Sequence, residues 1–359
     1  MSLTLIEVLR KATRKVAILL LHGLGLGKKV DILFESINLN SKEIYTYETH
    51  IHDLMGLSHF NSSIEVKGSS IVNDPKTTIV MQGPIDHKSD FTKKTVLHYL
   101  NTYKSTNLIL STWEHENIDV FAGVLENPMF ESRFTIIQSQ KPEYVGINNI
   151  NLQIVSTQAG IRHAAKNPTK YLLKTRTDQC MFSKLSLQYL ESIVEMYPSY
   201  DGSTRILSSS QGTFLLRPYG ISDMITFGEF EKVSNFWNVN QDMRKISDLQ
   251  FPEPKTLKNE SINGVCEIYL AKWYLESKGI KTNNSLRQSL EAYRDYFLIA
   301  DNQILDLVWN KYSYRKDKYS RLNRPIRHQE MSHFLWRDLQ INLSAYLVLE
   351  PFLDKEGDF

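Results

Sequence analysis

Between residues 77 and 179 the sequence alternates short apolar runs rich in β-formers with longer amphipathic stretches, and three of the four runs end in a polar cluster. Residues 77–81 (TTIVM) lead into Gln82-Gly83-Pro84-Ile85. Residues 107–111 (NLILS) lead into Thr112-Trp113-Glu114, residues 134–138 (FTIIQ) form a third run, and residues 171–174 (YLLK) lead into Thr175-Arg176-Thr177-Asp178-Gln179. Between them, Phe91, Val96, Leu97, Leu100 and Tyr103 recur at three- and four-residue steps. Ile154, Ile161 and Ala165 do the same in residues 151–166, so both segments predict helices. Strand and helix alternating at this spacing predict an α/β fold, a mostly parallel sheet flanked by helices on both faces. In such sheets ligands sit beyond the carboxyl ends of the strands, which is where the polar clusters fall.

Further along, residues 205–208, 213–216 and 225–227 read as short strands. Helices are expected near 229–238 and 264–278, then an apolar run at 296–300 and a closing helix. A length of 359 residues allows two to three domains or one large one. The texture divides the chain into an N-terminal extension, 1–75, ending at the Asn73-Asp74-Pro75 turn signal; a sheet domain, 76–300; and a basic, helical tail, 301–359. Lys plus Arg number 42 against 40 Asp plus Glu, a net charge of +2, so an anion site has to be local and a nucleic-acid partner is not expected. Two cysteines, Cys180 and Cys266, make no disulfide framework and no zinc spacing. The most apolar run, residues 16–26 (VAILLLHGLGL), is too short to span a bilayer and lacks the flanks of a signal peptide. A cytoplasmic protein is expected, with peripheral contact at a membrane surface as an option.

Each polar cluster has a plain reading and a chemical one. The glycine-rich stretch at residues 22–28 (HGLGLGK) fails the phosphate-loop spacing and reads as a turn. Gln82-Gly83-Pro84 is either a rigid turn or a turn that leaves room for a nucleotide. Trp113 beside Thr112 is either core or a platform for a base or sugar. The most informative cluster is Lys174, Arg176 and Asp178, because charges at the end of a central strand are seldom buried without a partner or ligand. Arg176 presents a fork matched to phosphate oxygens; Asp178 either binds a divalent metal on a diphosphate or pairs with Arg176. Asp223 is a turn cap or a general base, and Glu267 a helix-dipole complement or a second base. The run 311–327, with seven Lys or Arg and three Tyr, is a solvated face or an anion-binding surface.

Taken in order, VMQGPI (residues 80–85), LSTWE (110–114), Asn148-Asn149…Gln153…Ser156-Thr157…Gly160, KTRTDQ (174–179), ISDMITFG (221–228) and WNKYS (309–313) resemble the WavE lipopolysaccharide-synthesis family. The resemblance implies a glycosyltransferase of bacterial surface-glycan synthesis with a GT-A-like, Rossmann-like fold. It implies a nucleotide-sugar donor and a lipopolysaccharide or capsular glycan or glycolipid as acceptor. Gln82, Gly83, Pro84, Thr112 and Trp113 would then hold the nucleoside; Lys174, Arg176 and Asp178 the diphosphate; Asn149 and Gln153 the sugar; and Asp223, then Glu267, would serve as base. GT-A enzymes carry Asp-x-Asp where this chain has Arg176-Thr177-Asp178, so an Mn2+ or Mg2+ ion on Asp178 is in question. Transfer of a sugar phosphate or polyol phosphate would use the same clamp. A non-catalytic RNA- or membrane-binding protein using residues 311–327 is the alternative from a different class.

Overall fold

In a computed structural model of the chain, the structure describes residues 75–199, 202–245, 256–310 and 329–354. The extension with its apolar and glycine-rich stretches and the basic run 311–327 lie outside the described residues.

Strand β1 (Thr77–Gln82) is buried along its whole length, as its run of Thr, Ile and Val predicts. Helix α1 (Phe91–Thr102) carries the chain to β2 (Thr106–Trp113), which pairs parallel with β1, and β3 (Phe134–Ser139) pairs parallel with β2. Helix α2 (Ile150–Ala164) then returns the chain across the sheet to β4 (Tyr171–Arg176), parallel to β1 on its other side. Movement outward to β3 and back past β1 to β4, with one crossover hand, puts α1 and α2 on opposite faces. The order reverses between β1 and β4, and that switch point is where an open α/β sheet forms its ligand crevice.

Strand β5 (Gln179–Met181) and helix α3 (Ser186–Met196) follow, then β6 (Ile206–Ser209) and β7 (Thr226–Glu229). Helices α4 (Phe230–Trp237), α5 (Leu257–Asn263), α6 (Cys266–Ser277) and α7 (Leu286–Asp295) lead to β8 (Phe297–Ala300). The sheet runs β3-β2-β1-β4-β7-β6-β8; β7 is antiparallel to both neighbours and the other pairings are parallel. Because β7 runs backwards, the residues that precede it, including Asp223, arrive at the same edge as the carboxyl ends of β1 and β4. Strand β9 (Leu307–Trp309) pairs antiparallel with β5 as a two-stranded sheet.

Residues 213–216 are not the strand their apolar pattern predicts. They make one bridge, Phe214 with Glu330, and two backbone bonds to Gln329 and Met331, so their partner arrives more than 100 residues later and no ladder extends. The closing helix α8 (His333–Tyr346) is capped by the Ser332 hydroxyl, which accepts from Leu335 N–H. It docks through Trp336, whose indole N–H donates to the carbonyls of Tyr293 and Phe297. Among the described residues no helix is long and apolar enough to cross a membrane.

Candidate functional site

The switch point is shaped first by backbone. Gly83 follows β1 at φ +128°, a conformation that favours glycine, and a Cβ there would stand 2.7 Å from Thr177 Oγ1. Thr177 in turn donates to the Pro84 carbonyl at 2.6 Å, and its backbone N–H to the Gln82 carbonyl at 3.1 Å. The loop after β1 is thus clamped to the loop after β4. Gln82 is buried, and its Oε1 accepts from Ser156 of α2. Its side chain therefore ties helix to strand, while Gly83 and Pro84 form the edge itself.

Lys174 lies inside β4 with no solvent exposure. Its ammonium donates to the backbone carbonyl of Asp223 and to Gln153 Oε1, and stands 4.5 Å from the centre of the Trp237 ring. Burial pulls its pKa down to about 7, against the attraction of Asp223. Gln153 comes from the first turn of α2. The chain enters that helix through Asn148 and Asn149, both at left-handed φ that asparagine tolerates well. Gln153 Nε2 donates to Asp223 Oδ2 at 2.6 Å, so this one amide links the lysine to the carboxylate. Asp223 is 5% exposed. Asn149, by contrast, is exposed at the helix start.

Arg176 and Asp178 form a bidentate pair, Nε to Oδ1 at 2.8 Å and Nη2 to Oδ2 at 2.9 Å. Burial opposes the guanidinium charge, but the Asp178 bonds together with the Asp178 and Asp223 charges outweigh it and raise its pKa. Trp309 of β9 donates its indole N–H to Asp178 Oδ2 at 3.0 Å, and its ring lies 5.4 Å from the Arg176 guanidinium carbon. Asn310 adds two further ties, its backbone N–H to the Asp178 carbonyl and its side chain to Asp86 Oδ2.

Glu267 sits in the first turn of α6, half-buried, and accepts from the Cys266 thiol at 3.0 Å. Burial, and then the Asp223 charge, raise its pKa; the same two influences push the Cys266 thiol up. The two carboxylates named as bases from sequence thus belong to one charged cluster with Lys174 and Arg176.

Thr112 and Trp113 belong to the interior. Trp113 is 2% exposed and Thr112 wholly buried, so the ring lies in the core and not on a surface open to a ligand. Of the two rings beside the strand-end cluster, Trp237 is buried against Lys174, and Trp309, brought there by the β5–β9 pairing, is half-exposed. Nor do the donors suit a resident divalent ion at Asp178. Both of its oxygens are engaged by a guanidinium, and among the described residues no group of three or more His, Cys, Asp or Glu could hold a metal.

Trp309, Asn310, Trp237 and Cys266 were not assigned site roles from sequence. Trp309 and Asn310 lie within the WNKYS segment, whose family likeness is the only signal that sequence offered for them.

A doubly wound sheet with cations and carboxylates converging at its switch point defines a Rossmann-like α/β protein with a polar ligand crevice. The chain belongs to the family described as WavE lipopolysaccharide synthesis, whose family model matches residues 77–342. No curated protein matches it. Among solved structures it is similar to the nucleoside-diphosphate-sugar pyrophosphorylase from Vibrio cholerae RC9, at 10% identity over 66% of this chain and 98% of that one, with a TM-score of 0.35. It is also similar to a glycosyltransferase involved in the glycosylation of the major capsid of PBCV-1 (13% identity, 64% and 82% covered, TM-score 0.33). A third is S. aureus TarS 1-349 (11% identity, 77% and 72% covered, TM-score 0.32).

Proposed function

We propose that the protein is a glycosyltransferase that moves a sugar from a nucleotide-sugar donor to a lipopolysaccharide or capsular glycan acceptor. The observation that carries this reading is the convergence of Arg176, Asp178 and Asp223 at the β1/β4 switch point, with Asp223 held by Gln153 and Lys174. In this reading the donor diphosphate lies against the Gly83 turn and the Arg176 guanidinium, two of whose nitrogens are fixed by Asp178 while Nη1 stays outside that pair. Trp309, beside the guanidinium, supplies the half-exposed ring for the nucleoside.

The acceptor hydroxyl gives its proton to Asp223, whose Oδ2 is clamped by Gln153. The acceptor oxygen forms the new bond to the anomeric carbon, and the bond from that carbon to the diphosphate oxygen breaks. The electron pair leaves with the nucleoside diphosphate, whose growing charge Arg176 stabilises. Glu267, its pKa raised by burial and then by the Asp223 charge, holds its proton more readily than an ordinary glutamate and stands as the second candidate for the base. Lys174 touches no substrate; it positions the Asp223 loop. No step requires a metal. A cytoplasmic site, where nucleotide sugars are made, fits this chemistry.

The test is thermal melting of wild type and Arg176→Ala against UDP-, GDP-, CDP- and dTDP-sugars, with and without Mg2+ or Mn2+. One donor at a hundred times its Kd should add about 2.7 kcal/mol to wild-type stability and little to the variant. No shift with any nucleotide at millimolar concentration refutes the reading.

A further inference from the structure

The end of α4 and the residues after it form a strap, 237–244, that leaves the crevice along α2. At the crevice end the Trp237 ring stands 4.5 Å from the Lys174 ammonium. Gln158 of α2 then donates to the Trp237 and Val239 carbonyls at 2.9 and 2.8 Å. About two turns earlier in the same helix, Asn151 accepts from the Asp242 N–H at 2.6 Å and donates to its carbonyl at 2.9 Å. Helix α6 lies across this strap. Trp273 donates its indole N–H to the Asn238 carbonyl at 3.2 Å, and Tyr269 its hydroxyl to the Asn240 carbonyl at 3.1 Å. The two rings are neighbours on one helix face, with centroids 6.4 Å apart and planes inclined by 30°. The Arg244 guanidinium carbon lies 5.0 Å from the centre of the Tyr269 ring. Its charge is met by the buried Asp242 carboxylate, Nε to Oδ1 at 2.8 Å and Nη2 to Oδ2 at 2.7 Å. Three planar groups are thus held in a fixed row by bonds to the strap.

Both rings are half-exposed. Their polar atoms are spent on backbone carbonyls, so what remains for a ligand is ring surface. Asn238 and Asn240 beside them are exposed, and Met243 is 66% exposed. An exposed apolar patch with a polar rim marks a binding surface. Its occupant offers an apolar face to the rings and hydroxyls to the amides, and with Arg244 met by Asp242 it need carry no charge. A pyranose does this: C–H groups line one face, drawn to the negative face of an aromatic ring, and hydroxyls line the rim. The patch is also continuous with the crevice. Helix α6 packs against the turn at residues 147–149 that opens α2, and Gln153, in the first turn of α2, donates to Asp223 at 2.6 Å. Asn151 and Gln153 lie on opposite flanks of that turn. The strap at Asp242 and the Asp223 carboxylate are therefore about a helix width apart, about 10–12 Å, a span that a few linked sugars cover. We infer that Tyr269 and Trp273, flanked by Arg244, form an acceptor subsite that stacks sugar rings beyond the one receiving the new bond. This rests on the glycosyltransferase reading and adds the acceptor's chemical class to it: an oligosaccharide, not a single sugar.

The chain has five tryptophans, and 5-fluorotryptophan gives each a fluorine NMR signal, assigned by single Trp→Phe variants. The labelled protein is titrated with size-fractionated, lipid-free oligosaccharides released by mild acid from the surface glycans of the source cell. Glucose and the nucleoside diphosphate that stabilises wild type most are titrated in parallel. The expected result is that oligosaccharide moves the Trp273 signal saturably and nucleotide moves the Trp309 signal, each in the presence of the other. Glucose should bind at least about tenfold more weakly than the longer fractions, since one ring does not fill crevice and patch together. Tyr269→Leu and Trp273→Leu keep bulk but remove an aromatic face, and each should weaken oligosaccharide binding about tenfold while leaving nucleotide affinity within about twofold. Tyr269→Phe keeps the ring and should stay within about threefold of wild type; with Tyr269→Leu it serves if Trp273→Leu folds poorly. A Trp273 signal that oligosaccharide leaves unmoved, while nucleotide still binds, overturns the inference and leaves the transferase reading standing. Unchanged oligosaccharide affinity in both leucine variants overturns it too. A Trp273 signal that answers to nucleotide assigns the rings to the donor and overturns it. A dimer in sedimentation that Trp273→Leu converts to monomer assigns the rings to a second copy of the chain, with the same consequence. Oligosaccharide binding at Trp273 with no nucleotide binding keeps the glycan site and removes the transferase reading; binding of neither removes both.

Discussion

Lys174 shows how one side chain sets both the cost and the order of the site. It is wholly buried, and its ammonium is satisfied by a backbone carbonyl, an amide oxygen and an aromatic face, with no direct carboxylate contact. Its pKa falls from 10.5 to about 7. The sign follows from proton counting. Below pH 7 both folded and unfolded chains hold this proton, and the burial cost is fully present. Between pH 7 and 10.5 the unfolded chain still holds it while the folded chain has released it, so this group's contribution to stability rises with pH. The contribution approaches a slope of about 1.4 kcal/mol per pH unit for one proton. Denaturant unfolding of wild type and Lys174→Met from pH 6 to 9 should show a difference between the two curves that grows above pH 7. A parallel pair of curves would mean the ammonium is not the titrating group. Lys174, Arg176, Asp178 and Asp223 could be singled out from sequence for a physical reason, whereas Gln153 stood out only through the family likeness and Glu267 through its place in the first turn of a helix. Charged side chains just beside apolar strand runs are expensive to bury and so stand out. Trp113 misled because an aromatic at a strand end carries no such cost, and sequence does not say which face it takes.

At the scale of elements, the sheet positions the site through the packing of α2 on β1 and β2. Gly160 lies so close to the strands that a Cβ there would be 2.5 Å from Val80 Cγ1 and 3.3 Å from Ser111 Cβ. Val80 is paired with Lys174 in the ladder, and Ser111 donates to the Ser156 carbonyl of the same helix. Gly160→Ala should therefore lift the helix and cost about 1–3 kcal/mol, measurable by denaturant unfolding. It should also loosen Gln153 on Asp223, lowering kcat more than it raises the donor KM. Adding Val80→Ala makes room for the methyl, so the double variant should be more stable than the sum of the two single losses by about 0.5–3 kcal/mol. Strict additivity would mean that the contact does not set the helix height. β1 to β4 and both crossover helices were legible because local periodicity and β-branched runs determine them. Residues 213–216 were not, because their apolar side chains are buried by a loop whose hydrogen bonds reach residues 329–331. The antiparallel direction of β7 was illegible for a related reason: pairing direction is a non-local property.

Across the whole molecule, the crevice is closed by segments far apart in the chain. Trp309 reaches Asp178 across 131 positions, and Asn310 reaches Asp86 across 224. The β5–β9 ladder is what brings them there, and no spacing rule in the sequence announces it. These contacts hold the Asp178 carboxylate so that it in turn fixes two nitrogens of Arg176. Trp309→Phe keeps a ring over the guanidinium but removes the indole donor to Asp178. A single hydrogen bond to a charged acceptor contributes about 1.5–3 kcal/mol, part of which water recovers at a half-exposed site. The donor KM should therefore rise about five- to twentyfold, with the melting temperature lowered by only a few degrees because β9 keeps its backbone ladder. Asp178→Asn should weaken the donor similarly, by releasing Arg176. If both act through the same guanidinium, the double variant loses less than the product of the two single effects. A multiplicative loss would place Trp309 on the nucleotide independently of Asp178. A large fall in melting temperature with unchanged KM would make it a structural strut at the edge of the sheet.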